Sequence, residues 1–214
     1  MFIGNYDVTV RVESKEDYRV VEELTREAFF NVYLPGCKEH YVLHKFRDSN
    51  NFIKELSLVL ELDGNIIGHV MFAKAKVKLE DGSYREVHTF GPFSIHPKYQ
   101  KQGYGKYLLN VALNKAEGQG VKVLLACGSI DYYKKFGFSL ASSRNVRYAF
   151  AETNDKIVPY FLIKEFDKNY LNASSCTYQD PDEYFVADKE PETFERYEQT
   201  FPYKEKKNTD TQIF

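Results

Sequence analysis

The chain has 214 residues, 43% hydrophobic and 16% aromatic, which supplies a folded core and excludes a disordered or fibrous class. A net charge of −2 and a pI near 6.2 exclude general attraction to nucleic acid or to an anionic membrane, so any anion site must be local. Three cysteines without a pairing motif, an N-terminus lacking a signal-peptide pattern, and apolar runs well short of the roughly 20 residues of a membrane span predict a soluble, cytoplasmic protein without a structural disulfide.

Val8, Val10 and Val12 alternate with polar residues and predict a strand. Ser14 to Asp17 resembles a capping box, and Val20, Val21, Leu24, Ala28 and Phe29 follow at helical spacing up to the breaker Pro35-Gly36. A weaker helix is predicted from Lys38 to Arg47. Leu56 to Leu62 and Ile66 to Val77 are β-rich runs joined by Asp63-Gly64-Asn65, and Asp81-Gly82 precedes a further strand from Val87 to Ile95. Tyr104 to Glu117 is helical in period and closes at Gly118 and Gly120; Val121 to Ala126 is a short buried strand. A short helix over Asp131 to Phe136 and a strand from Gly137-Phe138 complete the order β-α-α-β-β-β-α-β-α-β. That order predicts an α/β (α+β) fold with a mixed, mostly antiparallel sheet and helices on both sides. Residues 1–166 read as the main domain. Residues 167–214 read as an acidic and aromatic extension packed on it, with a frayed end.

The segment Gln100-Lys101-Gln102-Gly103-Tyr104-Gly105-Lys106 follows a strand and opens a helix. Its glycines allow close backbone approach, and the free N–H groups of a helix start favour a phosphate anion. There is no G-x-x-x-x-G-K-[ST] pattern and no third glycine of a dinucleotide fingerprint, which weakens both nucleotide readings. With Tyr132-Tyr133-Lys-Lys-Phe136-Gly137-Phe138 some thirty residues on, the pair Q-x-x-G-x-G and Y-x-x-F-G-F resembles the GNAT family of N-acetyltransferases. The run GPFSIHPKYQKQGYGKYLL to ACGSIDYYKKFGF is most similar to the YhbS-like bacterial subgroup. Lys101 and Gln102 stand where many members carry Gly-Lys or Gly-Arg.

The resemblance implies the GNAT fold, acetyl-CoA as cosubstrate without a metal, and transfer of acetyl to a small-molecule or peptide amine by direct attack. It implies that amides of Gln102, Gly103, Gly105 and Lys106, with Gln100, Lys101 and Tyr104 beside them, hold the pyrophosphate. Backbone groups of Phe93, Ser94 and Ile95 would pair with the pantetheine and bind the oxyanion, on a strand that splays from Val121 to Ala126. Tyr133 would be the general acid toward the thiolate, with Tyr132 and Phe136 at the cofactor site. The acceptor pocket would form from the first two helices, the loop after Phe138 and the acidic extension, favouring a cationic acceptor, and a homodimer is open because dimers are common in the family. Two alternatives stand beside this: a non-catalytic acetyl-CoA sensor or scaffold, and an acyltransferase for a longer acyl-CoA.

Other residue patterns carry plainer readings. Cys37-x-x-His40-x-x-x-His44 has metal-like spacing but no evident fourth ligand. Cys127, on a strand taken as buried, reads as a small hydrophobe rather than a nucleophile. His69 and His88 read as strand histidines rather than bases, and Glu55 and Glu61 are weaker candidates still.

Overall fold

A computed structural model describes residues 2–3, 6–151, 157–172, 175–210 and 212. They form two compact units, one of residues 1–71, 92–112 and 182–214, the other of residues 72–91 and 113–181. The sheet is mixed and mostly antiparallel, with flanking helices.

In the first unit, β1 (Phe2–Ile3), β2 (Tyr6–Val12), β3 (Leu58–Leu62) and the first half of β4 (Asn65–Leu79) pair antiparallel in chain order. Val8, Val10 and Val12 face Leu62, Leu60 and Leu58 across the β2–β3 ladder, so the alternation becomes a row of apolar cross-strand pairs. Asp63 and Gly64 join β3 to β4 with φ of 49° and 76°, the two left-handed residues that match the twist of a tight hairpin. Helix α1 (Tyr18–Phe29) starts after a single turn in which the Asp17 carboxylate accepts the Ser14 N–H at 2.7 Å. It ends six residues before Pro35, because Asn31 turns left-handed at φ 61° and its side chain accepts the Gly36 N–H at 2.8 Å. Helix α2 (Glu39–Phe46) follows.

The C-terminal part of this unit carries α5 (Val186–Lys189) and α6 (Pro191–Glu198), counted after α3 and α4 below. Three of its acids find partners on α1, α2 or the segment after α2. Glu198 meets Arg26 and His40, Glu190 meets Tyr41 and Lys45, and Glu183 meets Ser49 and Asn51. Residues 204–207 and Gln212 run beside Glu27 and Asn31, while residues 211, 213 and 214 of the expected frayed end lie outside the described residues.

In the second unit, β6 (Val123–Cys127) pairs antiparallel with β9 (Phe161–Glu165), which pairs with β7 (Ser139–Leu140). On its other side β6 pairs parallel with β5 (Tyr84–Ile95) over His88↔Leu124 and Thr89↔Leu125. β10 (Cys176–Gln179) lies antiparallel to residues 76–79 of β4 and parallel to β8 (Val146–Tyr148). Val77, Val87, Val123, Leu125, Phe161, Ile163 and Tyr178 form its core. Four strands, β1, β8, β9 and β10, thus add to the predicted order, and β10 belongs to the segment read as an extension.

Candidate functional site

The glycine loop is built from the end of β5. The His96 N–H donates to Ile67 O at 2.9 Å, which holds the chain to β4 before one turn of helix over Pro97–Tyr99. Gln100 then reaches back, its Nε2 donating to Ile95 O at 2.9 Å, and Gln102 Nε2 donates to Lys98 O at 2.7 Å. Both amides act as struts inside the loop. Lys101 takes φ 60° and Gly103 φ 95°, and these reversals bring the chain into helix α3 (Tyr104–Gly118). A Cβ at Gly103 would meet nothing within 4 Å, so the space before the loop is open to a ligand.

Lys101, Gln102, Gly103 and Lys106 are exposed, whereas Tyr104 is buried with its ring edge-on to Tyr99. Two exposed lysines, Lys101 and Lys106, thus stand beside the start of α3, a placement of charge that suits a polyanion. Upstream on β5, Phe93 is half-buried, and Ser94 and Ile95 are buried. Ser94 Oγ donates to Thr25 Oγ1 of α1 at 3.2 Å. Gly68 on β4 makes room for Ile95, because a Cβ there would lie 2.6 Å from its Cδ1.

The second motif lies in the other unit. Helix α4 (Ile130–Tyr133) passes into a single tighter turn over Lys134–Phe136, which Gly137 ends in the left-handed region at φ 82°. The predicted single helix is therefore two short pieces. Tyr133 is half-buried, its ring edge-on to Phe90 at 5.7 Å and Tyr132 at 5.1 Å, with Phe138 at 5.5 Å. It rests directly on Gly128, where a Cβ would stand 2.4 Å from its Cε2. Phe136 is buried, its carbonyl accepting Lys164 Nζ at 2.9 Å, and burial pushes the Tyr132 hydroxyl above its usual range. The structure thus gathers Phe93 to Ile95 and Gln100 to Lys106 in one unit, and Tyr132, Tyr133 and Phe136 in the other.

The remaining candidates separate on geometry. His69 is fully buried; Ser57 Oγ donates to Glu13 Oε2 at 2.9 Å and meets His69 Nε2 at 3.1 Å, while Arg47 binds both Glu13 and Glu22. Burial, then the Arg47 charge, holds its pKa well below the usual value, so it is a hydrogen-bonded core histidine and a poor proton acceptor. His88 is also lowered by burial. Glu61 is bound by Arg11, and Glu55 is exposed. Cys37 Sγ lies 3.5 Å from His40 Nδ1, but His40 turns to Glu198 and His44 to Glu22. Among the described residues no group of three or more His, Cys, Asp and Glu could hold a metal.

Cys127 stands at the exposed end of β6, not on a buried stretch as expected. Its thiol is pushed up to about 12 by burial of the sulfur and then by Asp180, which makes it a poor nucleophile. Asp180 and Tyr148, hydrogen-bonded to each other, were not singled out by the sequence. The only local signal is the alternation Cys176-Thr177-Tyr178-Gln179 ahead of Asp180, too short to distinguish a strand from a loop.

A profile of the acetyltransferase (GNAT) family matches residues 18–138. YjhQ of Escherichia coli, an uncharacterized N-acetyltransferase, is 26% identical over 130 residues, which are 61% of this chain and 68% of that protein. The crystal structure of E. coli YhbS in complex with CoA aligns with a TM-score of 0.71 at 22% identity, over 86% of this chain and 95% of that one. A GNAT family acetyltransferase from Brucella melitensis in complex with acetyl-CoA aligns with a TM-score of 0.59 at 26% identity, over 75% and 88% of the two chains. None of the described helices is long and apolar enough to cross a membrane.

Proposed function

The chain belongs to the acetyltransferase (GNAT) family, and we propose that it is a cytoplasmic N-acetyltransferase that moves acetyl from acetyl-CoA to a primary amine by direct attack. The loop geometry carries this reading: left-handed Lys101 and Gly103, internal amide struts, and open space before Gly103. Amides of Gln102, Gly103, Gly105 and Lys106 hold the pyrophosphate, aided by the Lys101 and Lys106 charges. Each hydrogen bond to such an anion is worth about 1.5–3 kcal/mol.

Backbone groups of Phe93, Ser94 and Ile95 bind the pantetheine arm as a strand edge binds a peptide, and one of their N–H groups receives the oxyanion. The short β5–β6 register supports this role, because β5 continues for six residues beyond Thr89. The acceptor must attack as the free amine, which for a lysine-like pKa of about 10.4 is roughly one part in a thousand near neutrality. Its nitrogen bonds to the acetyl carbon and gives up a proton to solvent, from which Tyr133 is later reprotonated, while the C–S bond breaks. The Tyr133 hydroxyl protonates the departing thiolate, and the family motif joins this residue to the loop.

The test is thiol release from acetyl-CoA across a panel of amines, for wild type and Tyr133→Phe, with CoA affinity measured separately. The reading expects turnover with at least one amine and a fall in kcat of about 10²-fold or more in the variant. Unchanged kcat removes Tyr133 as the acid. CoA binding without turnover on any amine would transfer the protein to the sensor class.

A further inference from the structure

β6 ends between two different polar groups. Val123 and Leu125 face the core of the second unit, so by strand alternation Cys127 points to that same face. The next residue, Gly128, turns its bare Cα to the Tyr133 ring, and its N–H is held by Tyr160 O at 2.8 Å. On the Cys127 side stands Asp180, just past the end of β10. Its carboxylate accepts a hydrogen bond from Tyr148 of β8, whose ring stacks with that of Tyr178 of β10, and its charge acts on the Cys127 thiol. The parallel register Tyr178↔Tyr148 sets the two phenols side by side behind the acid.

Among the described residues no cation is paired with this carboxylate; burial raises its pKa, and the Tyr148 hydroxyl donates to it. A half-buried acid held by a phenol hydroxyl lacks the cation of an ion pair. Beside the Tyr148 ring lies aromatic surface: Phe150 is 49% exposed with its ring 5.6 Å from that of Tyr148. An acid with aromatic faces beside it is suited to an alkylammonium group, which gains both an ion pair and cation–π contact.

We propose that Asp180, with Tyr148 and Phe150, forms a binding site for the second, non-reacting ammonium of a compact diamine acceptor. The fate of the amine rests on the acetyltransferase reading above; its binding does not. The chain then selects among amines by a charge that stays protonated while the other nitrogen reacts.

The test is calorimetric binding of 1,4-diaminobutane and n-butylamine to the full chain without CoA, for wild type, Asp180→Asn and Tyr148→Phe, with CoA affinity and melting temperature measured on each. Wild type should prefer the diamine, and Asp180→Asn should lose about 10- to 100-fold in diamine affinity, the worth of one charge-assisted hydrogen bond. Melting temperature and CoA affinity should be unchanged in that variant. Tyr148→Phe, which keeps the acid and removes the hydroxyl that orients it, should weaken diamine binding less than Asp180→Asn does, and the melting temperature guards against a misfolded Asp180→Asn protein. Equal affinity for the two amines in wild type, no binding of either, or full diamine affinity in Asp180→Asn overturns the site. Diamine binding that depends on Asp180 in a protein with no CoA affinity would instead sink the acetyltransferase reading and leave the site standing.

Discussion

Gly128→Ala isolates what holds the proposed acid. The backbone there accepts alanine, since no left-handed φ is involved, but the new methyl would stand 2.4 Å from Tyr133 Cε2 and 3.0 Å from Cδ2. Carbon atoms in contact settle near 3.5 Å, so the ring must retreat by about 1 Å. Phe90 and Phe138 flank that ring, and overpacking of this kind costs about 1–3 kcal/mol. For a chain of this length each kcal/mol lowers the melting temperature by about 2–4 °C. A 1 Å displacement of a reacting group costs about 10²-fold in rate, so kcat should fall by that factor while CoA affinity stays constant. The assay is steady-state thiol release with the best amine of the panel, run as a double-mutant cycle with Tyr133→Ala, which removes the ring. In the Tyr133→Ala background the Gly128 substitution should cost almost nothing further. A full second loss there would show that Gly128 acts by some route other than the ring, and a fully active Gly128→Ala enzyme would refute the positioning argument outright.

Three further outcomes follow from the first unit. Lys101 holds φ 60°, a conformation costing about 1–2 kcal/mol for a residue with a Cβ, while glycine adds about 0.5–1 kcal/mol of unfolded-state freedom; Lys101→Gly should therefore raise the melting temperature slightly or leave it unchanged, and a clear fall in thermal denaturation would contradict the strain. Arg47 is 3% exposed between Glu13 and Glu22, so Arg47→Met strands two buried acids and should cost about 3–5 kcal/mol, a loss on the order of 10 °C by differential scanning calorimetry; a loss under 2 °C would exclude the network as a structural anchor. For Glu198, burial alone would raise the carboxyl, but His40 and Arg26 pull it from its ordinary 4.5 down to about 2. A pKa lowered on folding stabilises fully above the unfolded value and is lost as pH falls from about 4.5 toward 2, by at most about 3 kcal/mol. Denaturant titrations should therefore show wild type losing more stability over that window than Glu198→Gln, and parallel curves would disprove the linkage.

What the sequence made legible is local. Asp63-Gly64 declares its turn because two adjacent residues need positive φ, and the β2 valines declare their strand because period two is visible within seven residues. The family was legible for a similar reason, since its two motifs are short and lie in a fixed order within the matched region. Other features escaped because they depend on partners distant in the chain. β10 has four residues and joins strands about thirty and a hundred positions away, so its existence rests on ladders that no window contains. The acids of the C-terminal segment read as a net charge, yet Glu183, Glu190 and Glu198 are each tied to a particular group more than 130 positions earlier. Lys101 is the instructive intermediate: its departure from the family's glycine was visible in the sequence, but the left-handed backbone that gives the departure an energetic consequence was not. Asp180 is the opposite case, one acid among many in an acidic stretch. It becomes distinct only when folding sets it against the Tyr148 hydroxyl and beside Cys127, with no cation paired to it among the described residues. Such surroundings leave no mark in a sequence, and for that reason the proposed acceptor site rests on the fold.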